Sequence, residues 1–149
     1  MGQIVAQLCS ENPDVEIAAG INRTPIQKND FPVYSDPMEF PGEADVLIDF
    51  SNPANLTALL RYCTEKKMPA VLCTTGYSAE QIREIEAAAQ VVPMFRSGNM
   101  SLGINLLLAL VKKAAAVLGK DYDIEIVERH HHRKVDAPSG TALMLADAA

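Results

Sequence analysis

This sequence predicts an α/β fold: a parallel sheet with helices on both faces. Three observations carry the prediction. Short apolar runs of strand length recur at residues 15–21, 46–50, 70–73 and 91–95. Stretches with helical periodicity or helix-start signals stand between most of them. Strands alternating with helices in this way imply parallel pairing, because each return to the same edge needs a crossover. Third, the runs at 46–50, 70–73 and 91–95 each end in a polar turn, as βα junctions do.

Residues 2–10 place Ile4, Val5 and Leu8 on one helical face, and Asn12-Pro13 stops that helix. Residues 15–21 suit a buried strand. The Pro-, Asn- and Asp-rich stretch 22–42 reads as loop, with a short strand at Val33-Tyr34. After the strand at 46–50, Pro53 opens a helix in which Leu56, Leu59, Leu60 and Cys63 share a face. A strand at 70–73 leads to the turn Thr74-Thr75-Gly76. Ser78 with Gln81 three residues on forms a capping box for the next helix. The strand at 91–95 leads to Ser97-Gly98-Asn99. Residues 102–118 are apolar nearly all round, which predicts a deeply buried helix. Alternating charged and aliphatic residues at 123–129 predict a half-exposed strand, and a last helix runs through 141–149.

Doubly wound α/β domains start with a strand, whereas this chain starts with a helix. The expectation is a Rossmann-type domain lacking its first strand and the glycine turn after it, over residues 1–100. Residues 101–149 would begin an α+β substrate domain cut inside a helix. Residues 97–102 would be the hinge between the two.

The formal net charge of −6 argues against nucleic-acid and anionic-membrane partners. Every apolar run is interrupted by charge, Gly or Pro, so no membrane span is expected, and no basic leader precedes an apolar core. Cys9, Cys63 and Cys73 are odd in number without CxxC spacing, which reads as reduced thiols of a cytoplasmic protein.

The segment richest in chemistry is residues 128–142, ERHHHRKVDAPSGTA. Arg129, His130, His131, His132, Arg133 and Lys134 concentrate cationic donors in an otherwise acidic chain, which suits an anionic small molecule. A His can deliver a proton at neutral pH, and a Lys can hold a carboxylate or give a proton itself. Ser139-Gly140-Thr141 opens a helix after Pro138, where free backbone N–H groups make an anion site. The same composition also fits a solvated basic loop followed by a routine cap. A zinc site is disfavoured, since consecutive His residues in extended chain point to opposite sides; no metal is expected.

Asp49-Phe50-Ser51-Asn52-Pro53, Cys73-Thr74-Thr75-Gly76 and Ser97-Gly98-Asn99-Met100 all stand at carboxyl ends of strands, where open α/β sheets bind ligands. Each is also compatible with an ordinary βα turn. Asn22-Arg23 follows the strand at 15–21, where dinucleotide folds meet the adenosine ribose; a plain polar turn is the alternative.

Residues 128–142 closely resemble the signature of the dihydrodipicolinate reductase family: an acidic residue, x, two His, two variable residues, then KxDAPSGTA. D-F-S-x-P at 49–53, T-T-G at 74–76 and S-x-N-x-S at 97–101 follow in the family's order. The resemblance implies that His130 is a general acid and Lys134 its cationic partner and second proton donor. It implies that His131, Ser139, Gly140 and Thr141 bind the substrate. Cys73, Thr74, Thr75, Ser97, Gly98, Asn99 and Met100 would line the nicotinamide half of NADPH or NADH. Phe50 and Ser51 would flank its pyrophosphate and ribose. Gly2 matches the tail of the family's glycine fingerprint, and Asn22 and Arg23 fall at the ribose. Two positions depart from the family: Cys73 stands where Gly is usual, and Asn22 where many members are acidic. The implied reaction is hydride transfer to a cyclic imine dicarboxylate of lysine and diaminopimelate synthesis, by a homotetramer when the protein is complete. The alternatives are another Rossmann dehydrogenase of amino-acid metabolism and a non-catalytic remnant.

Overall fold

The computed structural model describes residues 1–24, 29–134 and 137–149. Its elements in chain order are helix α1 (Gly2–Ser10), strands β1 (Gly20–Ile21), β2 (Val33–Tyr34) and β3 (Leu47–Asp49), helix α2 (Leu56–Lys66), strand β4 (Ala70–Leu72), helix α3 (Ala79–Ala88), strand β5 (Met94–Arg96), and helices α4 (Leu102–Leu118) and α5 (Gly140–Ala148). All described pairings are parallel, which bears out the α/β class. The strands form two sheets, β1-β2 and β3-β4-β5.

The core lies in the second sheet. Leu56, Leu59, Leu60, Tyr62 and Cys63 of α2 pack with Ala70 and Leu72 of β4, Ile85 and Ala88 of α3, and Val92. The predicted face of α2 is thus the buried one, with Tyr62 added. Helix α2 stops at Lys67, whose left-handed φ of 55° ends the helical run while its N–H still bonds to Cys63. Helix α3 starts on the expected capping box, with Ser78 and Gln81 each accepting from the other's backbone N–H. Ala70 and Leu72 face this core. The opposite cross-strand row of Ile48, Val71 and Phe95 leaves Ile48 47% and Phe95 58% exposed.

Several expectations need correction. Only Gly20–Ile21 of residues 15–21 is strand, because only those two residues have ladder partners, in Val33 and Tyr34. The α1 face turned inward carries Val5, Ala6 and Cys9, while Ile4 and Leu8 are exposed. The strand predicted at 91–95 shifts to Met94–Arg96, since Val91 and Val92 still bond back to Ala88 at the end of α3. Residues 123–129 form no strand and are exposed throughout: alternation supplies two faces, but among the described residues no neighbouring strand supplies hydrogen bonds.

Helix α4 has the predicted extent but no buried residue. It packs against α5 and the 3-10 turn Gly119–Asp121, too little surface to cover a helix that is apolar on every side. The expectation that no apolar run reaches membrane length also fails. Leu102–Asp121 is 20 residues with mean hydropathy 1.7, long and apolar enough to cross a membrane by length and composition alone. The aliphatic residues outweigh Lys112 and Lys113, although two mid-helix lysines would each cost roughly 2.5–3.5 kcal/mol at a bilayer centre.

Candidate active site

Three turns leave the carboxyl ends of β3, β4 and β5, and one buried carboxylate ties two of them. Asp49, the last residue of β3, is 5% exposed. Its Oδ1 accepts the N–H of Ser51 at 3.0 Å. Its Oδ2 accepts the Thr74 hydroxyl at 2.7 Å and the Tyr77 hydroxyl at 3.2 Å. Burial, reinforced by this negative charge, raises the Cys73 thiol above its ordinary range and pushes the Tyr77 phenol up to about 12. Cys73 is therefore a protonated, buried thiol. Thr74 is buried as well, whereas Thr75 and Gly76 are exposed, Gly76 with a φ of 82° that favours glycine.

The third turn is closed by its own side chains. Ser97 Oγ donates to the Asn99 carbonyl and accepts the Asn99 N–H, and Asn99 Oδ1 accepts the Ser101 N–H. Asn99 Nδ2 donates to Thr141 Oγ1 at 2.9 Å, joining this turn to the start of α5. A Cβ placed on Gly140 would stand 3.7 Å from the Thr75 methyl. One on Gly98 would meet Met144 Sδ at 3.6 Å and the same Thr75 methyl at 3.9 Å. Thr75, Gly98, Asn99, Gly140 and Thr141 are therefore brought together by the fold, although 23 to 66 positions separate Thr75 from the others in sequence.

Helix α5 begins as predicted. Ser139 is its N-cap, with Oγ accepting the Ala142 N–H at 3.0 Å. Ser139 is 4% exposed and its own N–H donates to Glu128 Oε1 at 2.8 Å, so its polar groups serve the cap, while Gly140 and Thr141 beside it are half-buried. The other Glu128 oxygen lies 2.8 Å from His130 Nε2. Glu128 thus bridges the histidine loop and the helix start. Hydrogen bonding to Ser139, then to His130, holds its carboxyl down to about 2. With Nε2 donating to Glu128, the proton that a charged His130 can deliver elsewhere is the one on Nδ1. His131 Nδ1 accepts the Arg133 N–H at 3.2 Å, which leaves the proton of neutral His131 on Nε2. Lys134 is half-buried, its N–H bonded to the His131 carbonyl. Asp136 of the signature lies outside the described residues.

The remaining predicted residues are placed less informatively. Phe50 is half-buried and Ser51 exposed beside Asp49; Met100 is exposed. Gly2 opens α1 with open space where a Cβ would go. Asn22 and Arg23 lie at the end of β1, in the two-stranded sheet; Asn22 Nδ2 donates to the Thr24 carbonyl at 2.9 Å, and both residues are exposed. Asp49, Tyr77 and Glu128 were given no role from sequence. The available signals were an acid closing an apolar strand and an acid two residues before a histidine.

Exposed groups at Thr75 and Gly76, with the Ser51 hydroxyl on the adjacent parallel strand end, fit a dinucleotide lying across these turns. No group of three or more His, Cys, Asp or Glu among the described residues could hold a metal ion.

Comparison with known proteins identifies the family. The family described as "Dihydrodipicolinate reductase, N-terminus" matches residues 1–100, and "Dihydrodipicolinate reductase, C-terminus" matches residues 103–149. The chain is 49% identical over 147 residues to the 4-hydroxy-tetrahydrodipicolinate reductase of Clostridium tetani. It is 53% identical over 148 residues to that of Caldanaerobacter subterraneus. Each alignment covers 99% of this chain and 58% of the relative, so the chain spans somewhat over half the length of these relatives. The dipicolinate-bound dihydrodipicolinate reductase of Paenisporosarcina sp. TG-14 superposes with a TM-score of 0.73 at 26% identity, over 99% of this chain and 60% of that one. From its first residues to α5, the chain belongs to the dihydrodipicolinate reductase family.

Proposed function

We propose that this chain serves the nicotinamide-dependent reduction of 4-hydroxy-tetrahydrodipicolinate to tetrahydrodipicolinate, in lysine and diaminopimelate biosynthesis. The observation that carries the reading is the convergence of the strand-end turns on the start of α5 through Thr75, Gly98, Asn99, Gly140 and Thr141. Residues 1–100 would form the cofactor unit and 101–149 the start of the substrate unit, a division supported by where the two family matches meet. When bound, the reduced cofactor supplies the hydride. Thr75 and Gly76 hold its nicotinamide end, with Ser97 to Met100 alongside and Phe50 and Ser51 toward the phosphates. Gly2, Asn22 and Arg23 serve the pyrophosphate and ribose. Asn22 adds no charge to repel a 2′-phosphate and Arg23 can attract one, so both NADPH and NADH are accepted.

On the substrate side the Gly140 N–H and Thr141 hydroxyl receive one carboxylate at a helix start. A small dicarboxylate is the ligand class supported by the dipicolinate-bound relative. His131 contacts the substrate through Nε2. His130, oriented by Glu128, gives its Nδ1 proton to the reduced substrate, and Lys134 supplies positive charge beside it. Three unpaired cysteines support a cytoplasmic setting, and family membership supports a homotetramer.

The test is steady-state kinetics on the protein expressed from its own gene, with each cofactor. His130→Gln is expected to lower kcat about 10²–10⁴-fold with little change in KM, since the proton is needed mainly in the transition state. Lys134→Ala is expected to alter both parameters. Full kcat in the His130 variant would remove the assignment.

A further inference from the structure

Within the Thr74-Thr75 pair the structure separates two jobs. Thr74 is 7% exposed and its hydroxyl is spent on Asp49, while Thr75 faces out beside Gly98 and Gly140. We infer that Asp49 is a positioning residue: its buried carboxylate clamps the turns after β3 and β4 into one cofactor-facing surface, with Thr74 and Tyr77 as its partners and Thr75 as the residue that meets the ligand. This rests on the cofactor reading above and deepens it.

A buried carboxylate must be satisfied, because leaving it unpaired costs far more than any hydrogen bond gains. Asp49 has three donors, each from a different place: a backbone N–H of its own turn, a hydroxyl of the next βα turn, and a hydroxyl at the approach to α3. Farther out, Gln81 Nε2 donates to the Pro53 carbonyl at 2.7 Å and ties the same two segments a second time. Hydrogen bonds to a charged acceptor are the stronger kind, and they fix Thr74 in a rotamer that turns Thr75 outward. A Thr-Thr dipeptide with no such acceptor beneath it could present either hydroxyl.

The test uses the protein expressed from its own gene, with NADPH titrated by fluorescence and dipicolinate as the substrate-side probe. Thr74→Val keeps the shape and removes the hydroxyl; Thr74→Ser keeps the hydroxyl. Thr74→Val and Asp49→Asn are expected to weaken NADPH binding about tenfold, as loss of a hydrogen bond to a charged group does. Thr74→Ser is expected to bind like the parent, and dipicolinate affinity is expected to hold in all three. NADPH affinity within about twofold of the parent in folded Thr74→Val would overturn the clamp. Amide exchange gives a second readout that needs no ligand. In Asp49→Ala the Ser51 N–H is expected to exchange faster while amides of α2 keep their protection; unchanged Ser51 exchange would also overturn it, and should Asp49→Ala not fold, Thr74→Val decides. A parent protein that binds no NADPH would sink the reductase reading instead, and the exchange result would still decide the clamp.

Discussion

Glu128 is the residue that joins the histidine loop to the start of α5. Its two oxygens hold His130 and the Ser139 N–H, so a single side chain sets both the proposed proton donor and the helix start. Its folded-state pKa of about 2 lies below the ordinary 4.5. A depressed carboxyl contributes stability that is fully present above the unfolded value and is lost as pH falls through the folded one. Glu128→Gln is therefore expected to be less stable than the parent above about pH 4.5, with the difference closing as pH approaches 2. Denaturant melts across that range check this, and a pH-independent difference would show that charge on Glu128 does not hold the clasp. Sequence placed Glu128 in a motif without giving it work. Its value comes from Ser139, 11 positions on, and no local pattern encodes that proximity.

At the scale of elements, legibility followed how far each prediction depended on neighbours. The α2 stripe and the α3 capping box are local, and both appear as read. The strand at 123–129 and the buried state of α4 needed partners, and neither is found among the described residues. The order of burial within Cys73-Thr74-Thr75 was likewise hidden, since the acid that draws Thr74 inward sits 25 positions earlier. The end of α2 offers a clean measurement. Lys67 holds a left-handed φ of 55°, which costs a non-glycine residue roughly 1–2 kcal/mol, against the 0.5–1 kcal/mol that glycine loses in unfolded-chain entropy. Lys67→Gly is expected to stabilise the protein by about 0.5–1 kcal/mol in urea melts. A loss of stability would mean that the Lys67 side chain contributes more than its backbone strain costs.

For the whole molecule the dominant feature is uncovered apolar surface. Leu102, Leu106 and Leu110 recur at helical spacing on α4 and are 86%, 59% and 55% exposed, with Val117 farther along at 77%. Continuous patches of this kind drive association in water. The 149-residue polypeptide expressed alone is expected to sediment as species larger than a monomer, and Leu106→Lys with Leu110→Lys to shift it toward monomer. A monodisperse monomer of the unaltered chain at high concentration would contradict this.

The folding core has a different character. Every residue of the buried cluster falls between Leu56 and Val92, and each strand of the three-stranded sheet pairs with the next one in sequence. These parallel pairings join residues 23 or 24 positions apart, so closing them costs less chain entropy than pairing more distant segments would. The segment from β3 to β5 can therefore assemble as one cooperative unit early in folding, and open last. Asp49 lies inside that unit and the Glu128 clasp outside it. The surface proposed to hold the cofactor would thus be set while the histidine loop is still being ordered, giving the two halves of one site separate histories within a single chain.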